Sequence, residues 1–438
     1  MDCSPIEQAL MNLPVAATES IVSNIFISAL IQTLGFDLME TIPGYVTGGG
    51  GTAVDYALRK NSGTDIFIKT KLNPYLLIEV KGRNINLDQG SAYYKSTVNQ
   101  LKYYLLDSNC HSAGWGIIAN GDSIQLFRKQ GKVIYPATPC LPTRPDNIDQ
   151  LVSLIKEKID NPSRALTVAV YNNKGGVGKT TTTINLAGVF SILGRKTLIV
   201  DFDHNQQDLS RSSGQPVSDE DVFSWLVDDT TKDIPVHLIK TFRYSPKTNT
   251  VWSFDVIPSD RELHELTEAD LSKHFNSRRL KKALEPLTSK YDYILIDSAP
   301  NWRLFSQSAL YAADVVLIPT KHNSIYSLDN AATVIKEFIP KVQEVRKDGG
   351  PIALPIFYNG ESITDASKHN AEQAIKNILT KAKTDPINPF DLVAYFFPKF
   401  TATKKNFEIY SLPGFAHIAN AAFSQIPAVY KHKSLFIK

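Results

Sequence analysis

The chain has 438 residues, of which 43% are apolar and 21% charged, with a formal net charge of +3. This is the balance of a globular protein of two or three domains. No apolar run reaches the roughly 18 residues needed to span a membrane, and no basic segment followed by an apolar stretch opens the sequence as a secretory leader would. Three scattered cysteines, Cys3, Cys110 and Cys140, exclude a disulfide framework or a zinc cluster, so a cytoplasmic location is expected.

The distribution of charge says more than its sum. Residues 1–150 hold 12 Lys and Arg against 13 Asp and Glu. Residues 399–438 hold six lysines (399, 404, 405, 431, 433 and 438) against the single acid Glu408. A basic stretch of this kind suits a polyanion such as DNA, or is an ordinary solvated surface.

In chain order, residues 17–34 predict a helix with Val22, Ile25, Phe26, Ala29 and Leu30 on one stripe. The glycine run 48–51 precedes a strand at 54–58, with further strands at 65–69 and 75–81 and a helix over 90–107. Strands at 115–119 and 123–127 flank Asn120-Gly121-Asp122, a hairpin signal. Residues 136–145 contain four prolines, which predicts a linker. A helix follows with Ile148, Leu151, Ile155 and Ile159 on one face. Beyond it, apolar strands at 166–171, 197–201, 254–257, 293–297, 315–319 and 353–358 alternate with helical segments, the pattern of a doubly wound, mostly parallel α/β sheet. The expected domains are therefore a small mixed α/β domain at 1–135, a linker with a connecting helix at 136–164, and a P-loop domain at 165–438.

The P-loop is Lys174-Gly175-Gly176-Val177-Gly178-Lys179-Thr180-Thr181, between a strand and a helix. Its glycines let backbone amides curl around phosphate oxygens at a helix N-terminus. Lys179 is expected to reach the β- and γ-phosphates, Thr180 to ligate Mg²⁺, and Thr181 to bond the α-phosphate. Asp297 ends the apolar run Ile294-Leu295-Ile296, as a carboxylate that holds Mg²⁺ through water should.

With its additional lysine, Lys174, this loop resembles the deviant Walker A motif of the ParA/MinD family. The resemblance extends from residue 165 to the end of the chain through Asp201-Phe202-Asp203, Ser298-Ala299-Pro300 and the segment 257–263. It implies an ATP-dependent sandwich homodimer in which Lys174 reaches the second copy's phosphates, while Asp203 orients the attacking water and Asp201 is structural. Asn359 takes the place of an adenine-reading asparagine, or is a plain strand-end turn residue. One departure stands out: His204-Asn205 occurs where the family has Pro-Gln, which bears on hydrolysis rather than binding. The chain also lacks the cysteine pair with which the family's iron protein holds a cluster.

In the first domain, Asp55 and the strand residues Glu79 and Lys81 form an Asp…Glu-x-Lys constellation. Glu79 and Lys81 share a strand face. Two carboxylates can bind Mg²⁺, and a lysine can stabilise charge on a scissile phosphate. Alone, a Glu-x-Lys pair is most often a solvated face. With Glu19 in the opening helix and Gln100 and Tyr104 at i, i+4, the domain resembles the PD-(D/E)XK restriction-endonuclease-like nucleases, in particular the N-terminal domain of type I restriction R subunits. The two resemblances together imply an ATP- and Mg²⁺-dependent dimer that binds DNA without sequence preference and cuts it, for defence against foreign DNA. The alternative is a DNA partition or positioning ATPase whose first domain only binds DNA or a partner. A protein partner is left open.

Overall fold

The computed structural model describes the chain except residues 1–2, 49–50, 90, 220, 229–233, 246–249, 361–364, 401–404, 415 and 432–438. Lys404, Lys433 and Lys438 of the basic segment, and Gly49 and Gly50 of the glycine run, lie outside the described residues. The chain divides into two compact units, one of Met1–Pro162 with Lys347–Gly350, the other of Ser163–Arg346 with Pro351–Lys438.

The first unit is built on the strands β1 (Thr41–Val46), β2 (Ala53–Leu58), β3 (Leu76–Val80), β4 (Trp115–Ala119), β5 (Ser123–Gln130), β6 (Val133–Pro136) and β7 (Leu141–Pro142). They form one sheet in the order β1 to β6, with β7 also paired to β5. The first three strands are antiparallel neighbours. Helix Ala92–Leu106 then carries the chain across to β4, which runs parallel to β3. Alternation along β3 sorts its side chains between two layers. Leu76, Ile78 and Val80 pack with Val22, Phe26 and Leu30 of the opening helical region, whereas Leu77 packs with Val98, Leu101 and Leu105.

Two expectations are corrected here. Residues 65–69 are not a strand: Phe67–Thr70 is a short helix, because the Asn61 Oδ1 accepts from the Phe67 N–H at 2.7 Å and Lys71 closes the turn at φ 53°. The proline-rich stretch does not separate domains either. β6 and β7 both pair with β5, and Thr138 accepts from Gln125 and caps the Leu126 N–H, both at 3.0 Å. Prolines suit such a strap because an edge strand has N–H positions that need no ladder partner. Helix Ile148–Asp160 buries Ile148, Val152, Ile155 and Ile159 in the same core, with Val152 in the place expected for Leu151.

The second unit contains β8 (Leu166–Val170), β9 (Thr197–Phe202), β10 (Lys240–Tyr244), β11 (Trp252–Ile257), β12 (Tyr293–Ser298), β13 (Val315–Leu317), β14 (Pro319–Thr320), β15 (Ile352–Ala353), β16 (Phe357–Asn359) and β17 (Tyr410–Leu412). Its main sheet runs β10-β11-β9-β12-β8-β13-β15, parallel except for β10. β8, β9 and β12 are buried along nearly their whole length, as strands covered on both faces must be. From β8 the chain moves toward β9, and from β12 it moves the other way to β13. The crevice at the carboxyl ends of β8 and β12 is therefore a topological switch point, where open α/β sheets bind ligands.

Far along the chain, Ala428–Lys431 returns to cover helix Lys179–Ile192. Val429 packs on Gly188, where a Cβ would lie 2.6 Å from it, and the Tyr430 hydroxyl meets the Ser191 Oγ at 2.6 Å. The Tyr430 ring stacks on Tyr244 and Trp252, each at 5.2 Å.

Candidate functional site

β8 leads into Tyr171 and Asn172, which fix the start of the glycine loop. Asn172 is fully buried, and its amide donates to the carbonyls of Pro319 and Ser327 at 2.9 and 3.1 Å. Gly176 and Gly178 adopt φ of 74° and 84°, a region glycine enters freely. At Gly178 there is also no room, since a Cβ would stand 2.3 Å from the Asn359 Nδ2. That nitrogen donates to the Val177 and Gly178 carbonyls and to the Thr182 hydroxyl, at 3.0, 3.2 and 3.0 Å. Asn359 thus braces the loop through its amide hydrogens.

Past the loop, Lys179 opens the helix and is nearly buried, with its Nζ 3.4 Å from the Lys174 carbonyl. The Thr180 hydroxyl donates to the Asp297 Oδ2 at 2.6 Å. Asp297 is 1% exposed, and its Oδ1 is buried without a partner. Burial pushes this carboxyl up, to about 8, with repulsion from Asp201 adding to it, while burial lowers the Lys179 ammonium. Both shifts describe charges taken out of water, and a nucleotide with Mg²⁺ would reverse both. A phosphate favours the ammonium and a divalent cation the carboxylate. The orphaned Oδ1 beside the Thr180 hydroxyl and the glycine cradle therefore fit Mg²⁺ and a phosphate chain. Gly175 lies in the loop and Thr181 in the first turn of helix Lys179–Ile192. Lys174 is exposed at its rim.

β9 brings in the second motif. Asp201 is buried and accepts from the Ser210 N–H and hydroxyl at 2.8 and 2.6 Å, so its place is structural, and burial raises it to about 6. Asp203 follows the last residue of the strand; its Oδ1 accepts from the Gln206 N–H at 3.3 Å, and burial raises its pKa against the pull of Lys179. His204 is wholly buried and driven to about 3 by desolvation, hence neutral. Its Nδ1 lies 2.9 Å from the Ser259 Oγ and accepts from the Asp260 N–H at 3.2 Å. Residues 257–263 stand out in the sequence as family-like. Their bonds to His204 and Ser210 depend on bringing β11 beside β9, which local pattern does not reveal.

The first unit assembles a second cluster. Asp55 on β2 accepts from the Val80 N–H at 2.7 Å. Glu79, 2% exposed, bonds the Lys81 ammonium, and Lys81 also lies 3.9 Å from Glu19. Burial pushes Glu79 up to about 7, with repulsion from Asp55 and Glu19 added and Lys81 opposing. Burial raises Asp55 as well. For Lys81, burial acts against the charge and the Glu79 contact outweighs it, so the ammonium is held above its usual value. Gln100 donates to the Tyr104 hydroxyl at 2.9 Å, and among the described residues neither is hydrogen-bonded to the Asp55–Glu79–Lys81 group. Nor does any set of three or more His, Cys, Asp and Glu side chains among the described residues converge as for a metal ion. Two carboxylates would leave most of a cation's coordination to water and phosphate.

Of the C-terminal lysines, Lys399 pairs with Glu408 at 3.1 Å, Lys431 donates to the Ser424 hydroxyl at 2.7 Å, and Lys405 is exposed. No helix among the described residues is long and apolar enough to cross a membrane.

These features meet known proteins in one region. Residues 165–349, which hold the glycine loop, Asp203 and Asp297, match the family model of an AAA domain. The sporulation initiation inhibitor protein Soj of Bacillus subtilis is 37% identical over 155 residues, 35% of this chain and 57% of Soj. The chromosome partitioning protein ParA of Myxococcus xanthus is 35% identical over 156 residues, 35% of this chain and 50% of that protein. The chain thus spans about half the length of these relatives. Among solved structures, an McdA–ATP complex from Cyanothece aligns over 62% of this chain and 93% of its own at 21% identity, with a TM-score of 0.45.

Proposed function

We propose that the chain is an ATP- and Mg²⁺-dependent switch that pairs two copies and holds DNA without sequence preference, in the manner of a cytoplasmic partition or positioning ATPase. The observation that carries this reading is the bond from the half-buried Thr180 to the buried Asp297, whose Oδ1 is orphaned, set beside Lys179 at the mouth of a glycine cradle. Lys179 and the loop amides hold the phosphates, and Thr180 and Asp297 hold the cation. When bound, Mg²⁺ supplies charge neutralisation for phosphoryl transfer. Asp203 orients the water, and Lys174, exposed at the rim, is available to a second copy. Similarity to Soj and ParA supports the same reading.

Lys174→Ala tests it. ATP binding should persist while nucleotide-dependent pairing and phosphate release are lost, as read by size-exclusion chromatography and a phosphate assay. Wild-type pairing and turnover in this variant would remove the signature-lysine role.

A second reading, that the first unit is a Mg²⁺-dependent endonuclease used in defence, is favoured by the convergence of Asp55 on β2, Glu79 on the adjoining β3 and Lys81 just past its end. The sheet order around them, an antiparallel meander followed by a helical crossover to a parallel strand, suits the resemblance to restriction-type nucleases. Supercoiled plasmid incubated with the full chain, Mg²⁺ or Mn²⁺ and ATP separates the two. Salt-sensitive retention without cleavage supports partition. Linearisation that Glu79→Ala abolishes, with phosphate release intact, supports the nuclease.

A further inference from the structure

Asp203 sits on a turn that backbone geometry alone does not hold. The turn closes through the Gln207 N–H to the Asp203 carbonyl at 2.8 Å, and Gln207 takes φ of 56° without being glycine. Such a residue keeps its conformation only where its surroundings over-determine it. Beneath the turn lies a connected set of polar groups. The Ser210 Oγ donates to Asp201 and accepts from the Ser259 N–H at 2.8 Å, and the His204 Nδ1 meets both Ser259 and Asp260. The Asp260 carboxylate in turn accepts from the Ser218 hydroxyl at 2.7 Å and the Val222 N–H at 2.8 Å, at the start of helix Asp221–Val227.

We propose that His204 is a positioning residue, a strut whose Nδ1 ties the Asp203 turn to the Ser259–Asp260 segment and so sets the direction of the Asp203 carboxylate. The inference rests on the ATPase reading above. Because the Asp260 N–H donates to Nδ1, the ring proton is on Nε2, which is buried with no partner. The ring also packs edge-on against Phe202 and Phe305, at 5.1 and 4.7 Å between centroids. An apolar ring would fill that slot without an unsatisfied donor, which is costly in an interior. What the imidazole adds over an apolar ring is its acceptor at the δ position.

The test compares two substitutions in the full chain. His204→Phe keeps the ring and removes the acceptor; His204→Asn keeps an acceptor at the δ position. The Phe variant should lose about tenfold in kcat for phosphate release, the scale of a loosened catalytic group, with ATP affinity within about twofold of wild type. The Asn variant should recover most of that loss. Wild-type turnover in the Phe variant, an Asn variant as slow as the Phe variant, or a loss that falls on affinity instead of kcat would each overturn the strut. If the Phe variant does not fold, as judged by circular dichroism, His204→Gln, which moves the acceptor outward, takes its place with the same expected split. Asp203→Ala separates the two levels of the argument. If it hydrolyses ATP normally, the water-orienting role fails and the strut with it; if it is slow while His204→Phe is not, the strut alone fails.

Discussion

Both units bury carboxylates next to a lysine, and they satisfy them differently. In the first, Glu79 is bonded to Lys81 just past the end of β3, and Asp55 on β2 accepts the Val80 N–H of β3, so the acids find partners within the same sheet. In the second, Asp297 keeps one oxygen unpaired and, among the described residues, Lys179 has one long hydrogen bond to a carbonyl, while the amides of Asn172 and Asn359 and the hydroxyl of Ser210 donate to the elements around them. Groups braced from behind and left unpaired in front are prepared for a ligand. A carboxylate and ammonium already paired must be separated before either can act. The two regions therefore differ in preorganisation more than in chemistry.

The sharpest way to break this comparison is Lys179→Ala. Removing a buried cation from a braced site should weaken ATP binding by roughly 3 kcal/mol, over a hundredfold, measured by titration calorimetry. A loss under about tenfold would mean that the backbone cradle suffices.

The next effect belongs to the first unit. Glu79 must be ionised to hold a cation, and its pKa is about 7. Mn²⁺ affinity of that unit should therefore rise about tenfold per pH unit up to about 7 and level off above it, and the rise should vanish in Glu79→Gln. The sign for stability is opposite. Because the folded value lies above the ordinary 4.5, this residue's contribution is fully present below 4.5 and is lost as pH rises through about 7. An affinity profile flat from pH 5 to 8 would show that Lys81 keeps Glu79 from acting as a ligand.

The smallest effect tests the bracing itself. Gly178→Ala places a methyl against Asn359 at a positive φ and should lower the melting temperature by several degrees, about 1–2 kcal/mol. Asn359→Ala in the same chain should relieve the contact but not the backbone strain, recovering part of the loss.

Legibility in the sequence followed how local each feature is. The Lys174–Thr181 loop and the apolar strand ending at Asp297 are contiguous, so their residue types and order suffice to place them on the right elements. Glu79 and Lys81 share a strand face by alternation alone. β1 escaped notice because Pro43 and Gly44 interrupt its pattern, although it pairs along β2 from Thr41 to Val46. The proline-rich strap read as a linker because its pairing depends on Thr138, whose bonds come from β5. Asn359 was placed at a strand end, but its work as a brace follows from a loop some 180 residues earlier. The His204 contacts are likewise invisible until two strands lie side by side.

The C-terminal cover on helix Lys179–Ile192 carries a consequence in time. Ser191 and Tyr430 are 239 positions apart. At ordinary rates of synthesis, about 5–20 residues per second, the helix that begins with Lys179 waits roughly 10–50 s for Val429 and Tyr430 to leave the ribosome. Throughout that interval Gly188, Tyr244 and Trp252 lack the partners that later cover them. A released chain that stops just short of residue 428 should therefore show this unfinished groove to chaperones and proteases, and one that includes Val429 and Tyr430 should not.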